Sequence, residues 1–304
     1  MIPLVKTFLP PREILIPKIE EVLYSGYISQ GDAVEEFEKK LGDYLGNKYC
    51  VSVNSGSSAL HISLILAGVK PGDEVISTPL TAEPTNTVIN QTGAKIIWAD
   101  IDLRTGNICP KDVEAKITSK TKAIMVVDYA GIPVDICSFQ KIEKEYGIPI
   151  IQDSAHAFGA AYAGEKLGNH FSYTTFSFQA IKHMTTIDGG LIVLNNEEEY
   201  ERAKLIRWFG LDKKLPRKDN DIYLQGYKYH MNNINAIIGS VQMENIDDLI
   251  SSYIDNGKYF DNELKNVSGL TLMEYYPDSK PSYWLYTIKV KNKKDVNKWV
   301  DVTK

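Results

Sequence analysis

The 304-residue chain carries 34 basic and 39 acidic residues, a formal net charge of -5, and 43% hydrophobic residues, enough for one large domain with a sizeable core and a smaller one beside it. No basic run is present that would track a phosphate backbone, so nucleic acid is not an expected partner. No stretch nears the ~18 uncharged apolar residues of a membrane helix either, and a soluble protein with no signal peptide and no membrane contact is expected. Cys50, Cys109 and Cys137 are odd in number and lack metal-ligand spacing, which suits a reducing cytoplasm, three small core hydrophobes and no metal site.

In chain order, Val34, Phe37, Leu41, Tyr44 and Leu45 recur at helical spacing between Asp32 and Gly46, and Tyr49 to Val53 reads as a buried strand. Asn54-Ser-Gly-Ser-Ser58 supplies turn and cap residues for a helix over Ala59 to Ala67, which Gly68 and Pro71-Gly72 end. Short apolar runs follow at Glu74–Thr78, Lys95–Ala99, Ala123–Val127, Ile148–Ile151, Tyr173–Ser177 and Gly190–Leu194, separated by helical or turn segments. Near-continuous apolar strands alternating with helices predict an α/β domain: three layers, with a mostly parallel sheet covered on both faces. Beyond Leu194 come a charged helix from Glu197, a polar exposed loop from Leu211 to Tyr223, and a long amphipathic pattern from Asn233 to Leu264 (Ile237, Val241, Ile246, Leu249, Ile250, Tyr253). Ser282 to Val290 alternates like a half-exposed strand, and Val296 to Val302 begins a helix. The expected division is a large domain over 1–240 and a smaller α+β C-terminal domain over 241–304, which reads as truncated because so few elements form a thin layer.

Lys182 stands among small and aromatic residues in Thr175-Phe-Ser-Phe-Gln-Ala-Ile-Lys182 rather than in a solvated charge run. Apolar surroundings depress a lysine amine from its usual ~10.4 and make it nucleophilic, able to condense with a carbonyl as in the anchoring of pyridoxal 5'-phosphate. The alternative is a lysine that snorkels from a sheet edge to solvent. That cofactor also needs a carboxylate for its ring nitrogen and donors for its phosphate. Asp153, at the carboxyl end of a buried strand where ligands sit in open α/β sheets, is the candidate carboxylate, with a helix N-cap as the alternative. Asn54 to Ser58 and Ser177 are the candidate phosphate donors, with an ordinary serine-rich cap as the alternative for the turn. Each candidate follows an apolar run, so a parallel sheet gathers all of them at one edge.

Five motifs carry a resemblance: Asn54-Ser-Gly-Ser-Ser-Ala-Leu-His61, Pro71-Gly-Asp-Glu-Val-Ile-Ser-Thr-Pro79, Gln152-Asp-Ser-Ala-His-Ala-Phe-Gly159, Phe176-Ser-Phe-Gln-Ala-Ile-Lys182 with Thr185-Thr-Ile-Asp-Gly-Gly190, and Gly226-Tyr-Lys-Tyr-His-Met-Asn232. Taken together and in order from Pro10 to the end, they resemble the DegT-like nucleotide-sugar aminotransferases, which belong to the fold type I pyridoxal phosphate enzymes. The resemblance implies that Lys182 anchors the cofactor aldehyde and then serves as general base. It implies that Asp153 pairs with the pyridine nitrogen, that His156 contacts the ring or its phenolic oxygen, and that Gly56, Ser57 and Ser177 hold the phosphate. It implies further that His230 or Asn232 completes the phosphate cup of a neighbouring subunit, which makes a homodimer with shared active sites. The substrates it implies are an amino-acid donor, usually glutamate, and a nucleotide-linked keto-deoxysugar.

Three features depart from the family pattern, and a fourth bears on the reaction. Ile187 replaces a glycine after the paired threonines, Ala82 replaces an aromatic over the cofactor face, and the family's small domain continues past Val290 with elements that finish the sugar pocket. Related dehydratases carry histidine in place of the lysine, so Lys182 favours transamination, although His183 is adjacent. A dehydratase, or a non-catalytic regulatory or dimerising paralogue, remains the alternative.

Overall fold

A computed structural model describes residues 6–292, 294 and 296. Its helices are α1 (Arg12–Tyr24), α2 (Asp32–Leu45), α3 (Gly56–Leu66), α4 (Glu83–Gln91), α5 (Pro110–Ala115), α6 (Ile136–Tyr146), α7 (Glu197–Ile206), α8 (Asn233–Gln242) and α9 (Ile246–Leu264). Its main strands are β1 (Cys50–Val53), β2 (Glu74–Ser77), β3 (Lys95–Trp98), β4 (Thr121–Val127), β5 (Ile150–Asp153), β8 (Tyr173–Ser177) and β9 (Gly190–Leu194); the short β6 (Ala161–Tyr162) and β7 (Glu165–Lys166) lie between β5 and β8. The strands β10 (Leu270–Leu272), β11 (Ser279–Lys280) and β12 (Ile288–Val290) follow α9.

Seven strands form one sheet in the order β1-β9-β8-β5-β4-β2-β3. The pairs β2/β3, β2/β4, β4/β5 and β5/β8 are parallel, whereas β9 runs antiparallel to both β8 and β1. Strands β1, β5, β8 and β9 are buried along their whole length, which is why they read as unbroken apolar runs rather than alternating ones. One face is covered by α2, α6 and α8 through Val34, Phe37, Leu41, Phe139 and Ala236; the other is covered by α3, α4 and α7 through Leu60, Ile62, Val88, Ile89 and Ile206. The layers are therefore the three that the sequence predicts.

Local chemistry sets the element ends. Helix α2 carries Asp32 and Glu35 in its first turn, where the dipole favours negative charge, and stops at Gly46 in the left-handed region. Helix α3 starts at Gly56, three residues earlier than its apolar pattern, because the Ser55 side chain accepts a hydrogen bond from the Ser58 backbone N–H and caps it. The amphipathic stretch after Asn232 is two helices, α8 and α9, separated by a 3-10 turn over Met243–Asn245.

The strand expected over 282–290 shrinks to Ile288–Val290, which pairs with β10. Tyr283 adopts a left-handed φ of 50°, which breaks the extended run, and Ser282 and Leu285 instead donate backbone hydrogen bonds to Gly131 and Ala130. Beyond Lys294 and Val296 the helix expected over 296–302 lies outside the described residues. Cys137 is exposed and Cys109 half-buried, so Cys50 alone of the three is a core residue.

A buried ion pair ties the two ends of the large domain together. Arg207, just past α7, donates from Nη1 to the Glu38 carboxylate of α2 and to the Ser52 carbonyl of β1 at 2.9 Å, and Ser52 donates its N–H and hydroxyl to the same Glu38 oxygen at 2.8 and 2.7 Å. Both charged side chains are under a tenth exposed. Removing one partner strands the other charge in the core. Arg207→Met is expected to cost about 3–5 kcal/mol in denaturant unfolding, and the double change Glu38→Leu, Arg207→Met about 2 kcal/mol less than the single one; equal losses would show that the pair is not coupled.

Candidate active site

Register places the candidate residues together. Asp153 ends β5 beside Val127 of β4 and Thr175 of β8, and Ser154 donates its N–H to Thr175 O at 2.9 Å, so the carboxyl ends of the three strands lie side by side. The first turn of α3 closes against Ser177 at the end of β8: a Cβ on Gly56 would lie 3.0 Å from Ser177 Cβ, a contact tight enough that a side chain there would force α3 away. The loop between β8 and β9 carries Lys182. These pieces enclose a cleft of about 360 Å³ lined by Gly56, Ser57, Asp153, His156, Ser177 and Lys182, among others. Six of the eight residues singled out from the sequence thus share one cavity.

Asp153 is buried. Its Oδ2 accepts a hydrogen bond from Thr85 Oγ1 at 2.7 Å and its Oδ1 one from the Ala155 N–H at 3.1 Å. Desolvation raises its pKa, while these two hydrogen bonds and the Lys182 charge pull it back. Lys182 is shifted the other way, down to about 8, because burial penalises the ammonium more than the Asp153 charge supports it. At neutral pH roughly a tenth of the side chain is therefore free amine, against well under a thousandth for an ordinary lysine. The solvated snorkelling lysine and the N-cap aspartate are excluded by this placement.

His156 is buried with its Nδ1 unpartnered, and burial first and the Lys182 charge second lower its pKa to about 3, which keeps the ring neutral. His183, adjacent to Lys182 in sequence, turns the other way: its Nε2 lies 2.9 Å from Ser282 O, and it does not line the cleft. The lysine, and not the histidine, occupies the cavity. A second buried carboxylate, Asp128, stands behind Asp153 and accepts from Ser154 Oγ, Gln152 Nε2 and the Val134 N–H, with desolvation raising its pKa to about 7. Its bonds are all internal to the scaffold.

His230 and Asn232 are not brought to this cleft. His230 pairs through its backbone with Val53, and its Nε2 lies 3.2 Å from Ser29 Oγ; Asn232 caps α8, its Oδ1 accepting from the Asn235 N–H at 2.9 Å. Two neighbours of the site were not singled out from the sequence. Thr85 sits in the first turn of α4 and gives no signal distinct from a helix-start residue. Trp284 lies inside an alternating run that reads as a strand, yet its ring stacks on His156 with centroids 4.0 Å apart. Ala82 lines the cleft and offers no aromatic face there.

Ile187 holds a φ of 72° and is 55% exposed, so a β-branched residue sits in the conformation that favours glycine. The turn is held from outside: Asn235 Nδ2 donates to Thr186 O at 2.7 Å and to Asp188 O at 2.6 Å, and Ile187 N–H donates to Thr185 Oγ1 at 2.8 Å. Left-handed strain of this kind costs on the order of 1–2 kcal/mol, against at most about 1 kcal/mol of added unfolded-state freedom for glycine. Ile187→Gly is expected to raise the melting temperature by roughly 1–3 °C in a calorimetric scan; a lower melting temperature would mean the turn is not strained.

The site fits pyridoxal phosphate on four observations of this chain: a desolvated lysine with a lowered pKa, a buried carboxylate in the same cleft, a helix N-terminus flanked by serines, and an unpartnered buried ring nitrogen on His156. The DegT/DnrJ/EryC1/StrS aminotransferase family model matches residues 12–302. Among solved structures, the sugar aminotransferase CalS13 from Micromonospora echinospora is 35% identical with a TM-score of 0.94, over 100% of this chain and 84% of that one. Spr1654 from Streptococcus pneumoniae, solved in a PLP form and a PMP form, is 29% identical with a TM-score of 0.88, over 96% of this chain and 78% of that one. The spore coat polysaccharide biosynthesis protein SpsC of Bacillus subtilis is 31% identical over 286 residues, covering 92% of this chain and 74% of the relative. The chain thus belongs to the DegT/DnrJ/EryC1/StrS aminotransferase family and is a pyridoxal phosphate-dependent aminotransferase.

Proposed function

We propose that this chain transfers an amino group from glutamate to the ketone of a nucleotide-linked 4-keto-6-deoxyhexose, in the making of amino sugars for surface polysaccharide. The observation that carries the reading is a half-buried lysine, its pKa lowered to about 8 by desolvation, lining the same cavity as a buried aspartate. Support for a sugar acceptor comes from CalS13, and for a polysaccharide setting from SpsC. Lysine rather than histidine in the cleft favours amino transfer over dehydration, and the retention of both Lys182 and Asp153 argues against a non-catalytic paralogue.

When bound, pyridoxal phosphate supplies an aldehyde and an electron-accepting ring. Lys182 Nζ would hold the aldehyde, and its amine would take and return protons as general base, a role that a pKa of about 8 suits. Asp153 holds a proton on the ring nitrogen by its negative charge. Gly56, Ser57 and Ser177 bind the phosphate at the positive end of α3. His156, with its unpartnered Nδ1, would contact the ring or its phenolic oxygen. His230 and Asn232, which lie outside their own chain's cleft, serve a neighbouring copy in a homodimer. We further place the boundary between the cofactor-binding domain and the small domain near residue 240, before α9.

Added pyridoxal phosphate is expected to give a visible absorbance band that Lys182→Ala abolishes and that glutamate shifts to the near-ultraviolet band of the amine form. A flat spectrum from the intact chain would sink the reading. Asp153→Asn is expected to keep the band while amino transfer to a panel of nucleotide-linked ketosugars falls roughly a hundredfold or more; unchanged turnover would remove its role.

A further inference from the structure

Trp284 is held in place more firmly than a packing residue needs. Its indole Nε1 donates to Ile181 O at 2.8 Å, the carbonyl next to Lys182, across 103 positions of sequence. The preceding Tyr283 adopts a left-handed φ of 50°, a strained conformation for a non-glycine residue. Tyr283 is in turn fixed at both ends: its hydroxyl donates to Asp261 Oδ2 at 2.9 Å, and its ring lies where a Cβ on Gly257 would come within 2.3 Å. Tyr275 and Tyr286 donate to the same Asp261 carboxylate at 3.2 and 2.9 Å, so three phenols from the C-terminal segment converge on one acid of α9. On the other side Gly131 lies so close that a Cβ there would stand 2.9 Å from the Trp284 N.

The ring presented in this way does two things. One face stacks on His156, with an interplanar angle of 20°, and the Lys182 Nζ lies 3.9 Å from the ring centroid. Among the described residues no ion pair within 4.0 Å joins Lys182 to Asp153, whereas the indole face is in cation–π contact with the amine.

We propose that Trp284 is a positioning residue for Lys182, whose ring face receives the ammonium and keeps the side chain gathered at the cleft wall whenever the amine is not bonded to cofactor. The inference rests on the assignment of Lys182 as the anchoring lysine. Strain at Tyr283 and the three-phenol clamp at Asp261 are what hold the ring there. The charged and titratable groups that share the Lys182 environment are Asp153, His156, Asp188, Glu83 and His183. Asp153 favours the ammonium, and burial opposes it. A cation–π contact adds to the Asp153 side of that balance, so removing the ring lowers the pH at which the amine forms.

Two readouts on the full chain test this. In the first, lysines are reductively methylated with 13C-formaldehyde, and the resonance missing from Lys182→Arg is followed by NMR. It is expected to lie upfield through the ring current of the indole, to return toward the ordinary lysine position in Trp284→Leu, and to titrate at a pH lower by roughly half to one unit in that variant. Trp284→Phe, which keeps a ring face and loses the Nε1 anchor, is expected to fall between the two and decides the matter if the leucine variant does not fold. A resonance that has no upfield shift in the intact chain, or one whose titration is the same in all three proteins, overturns the proposal. In the second, the rate at which added pyridoxal phosphate develops its visible band is expected to fall about three- to tenfold in Trp284→Leu, with its pH midpoint shifted as in the NMR. A slower rate with an unmoved midpoint overturns the positioning role in favour of a merely structural one. Absence of the band from the intact chain would instead sink the assignment of Lys182, which the NMR arm does not use.

Discussion

The cleft depends on two opposite charges kept out of water and out of contact with each other. Burial drives Asp153 up and Lys182 down, so both are pulled toward neutrality, and each is the other's main electrostatic support. A direct salt bridge would satisfy them and leave nothing to offer a ligand. Their separation leaves a carboxylate and an amine with unspent capacity lining one pocket, which suits a ligand carrying both a ring nitrogen and an aldehyde. Thr85 and the Ala155 N–H hold the aspartate from behind, and Trp284 holds the lysine.

That separation is a product of the sheet. Asp153 and Ser177 end adjacent parallel strands, whereas Lys182 lies in the turn of a hairpin, because β9 runs back along β8. Here Phe178 N–H donates to Gly189 O and Thr186 N–H to Phe178 O, so the loop is closed at its base before Asn235 braces it from α8.

Much of this was legible in the residues. The runs Tyr173–Ser177 and Gly190–Leu194 are the strands themselves, since burial on both faces erases alternation and leaves only turn residues to mark the ends. Lys182, Asp153 and the Asn54 to Ser58 turn were readable because each follows such a run. Ile187 stood out as a β-branched residue where the backbone bends, and it does adopt the left-handed conformation. Trp284 was not readable. Its alternating neighbours match a strand, and what overrides the pattern is the docking of 282–285 onto Ala130, Gly131 and His156, contacts that link residues more than a hundred positions apart. Cys137 was misread for the opposite reason: a free cysteine is usually buried, and nothing local says that this one lies on the outer side of α6.

The bond from Trp284 to the carbonyl beside Lys182 spans about a third of the chain, and contacts this distant in sequence close late in folding. Until the segment after α9 has docked, Lys182 lacks the indole face that Trp284 later supplies. During synthesis the chain emerges from its amino end, so the seven-stranded sheet, whose last strand ends at Leu194, can pair before the segment that carries Trp284 arrives. The amine therefore gains its cation–π partner last, and the final geometry of the site waits on the segment after α9.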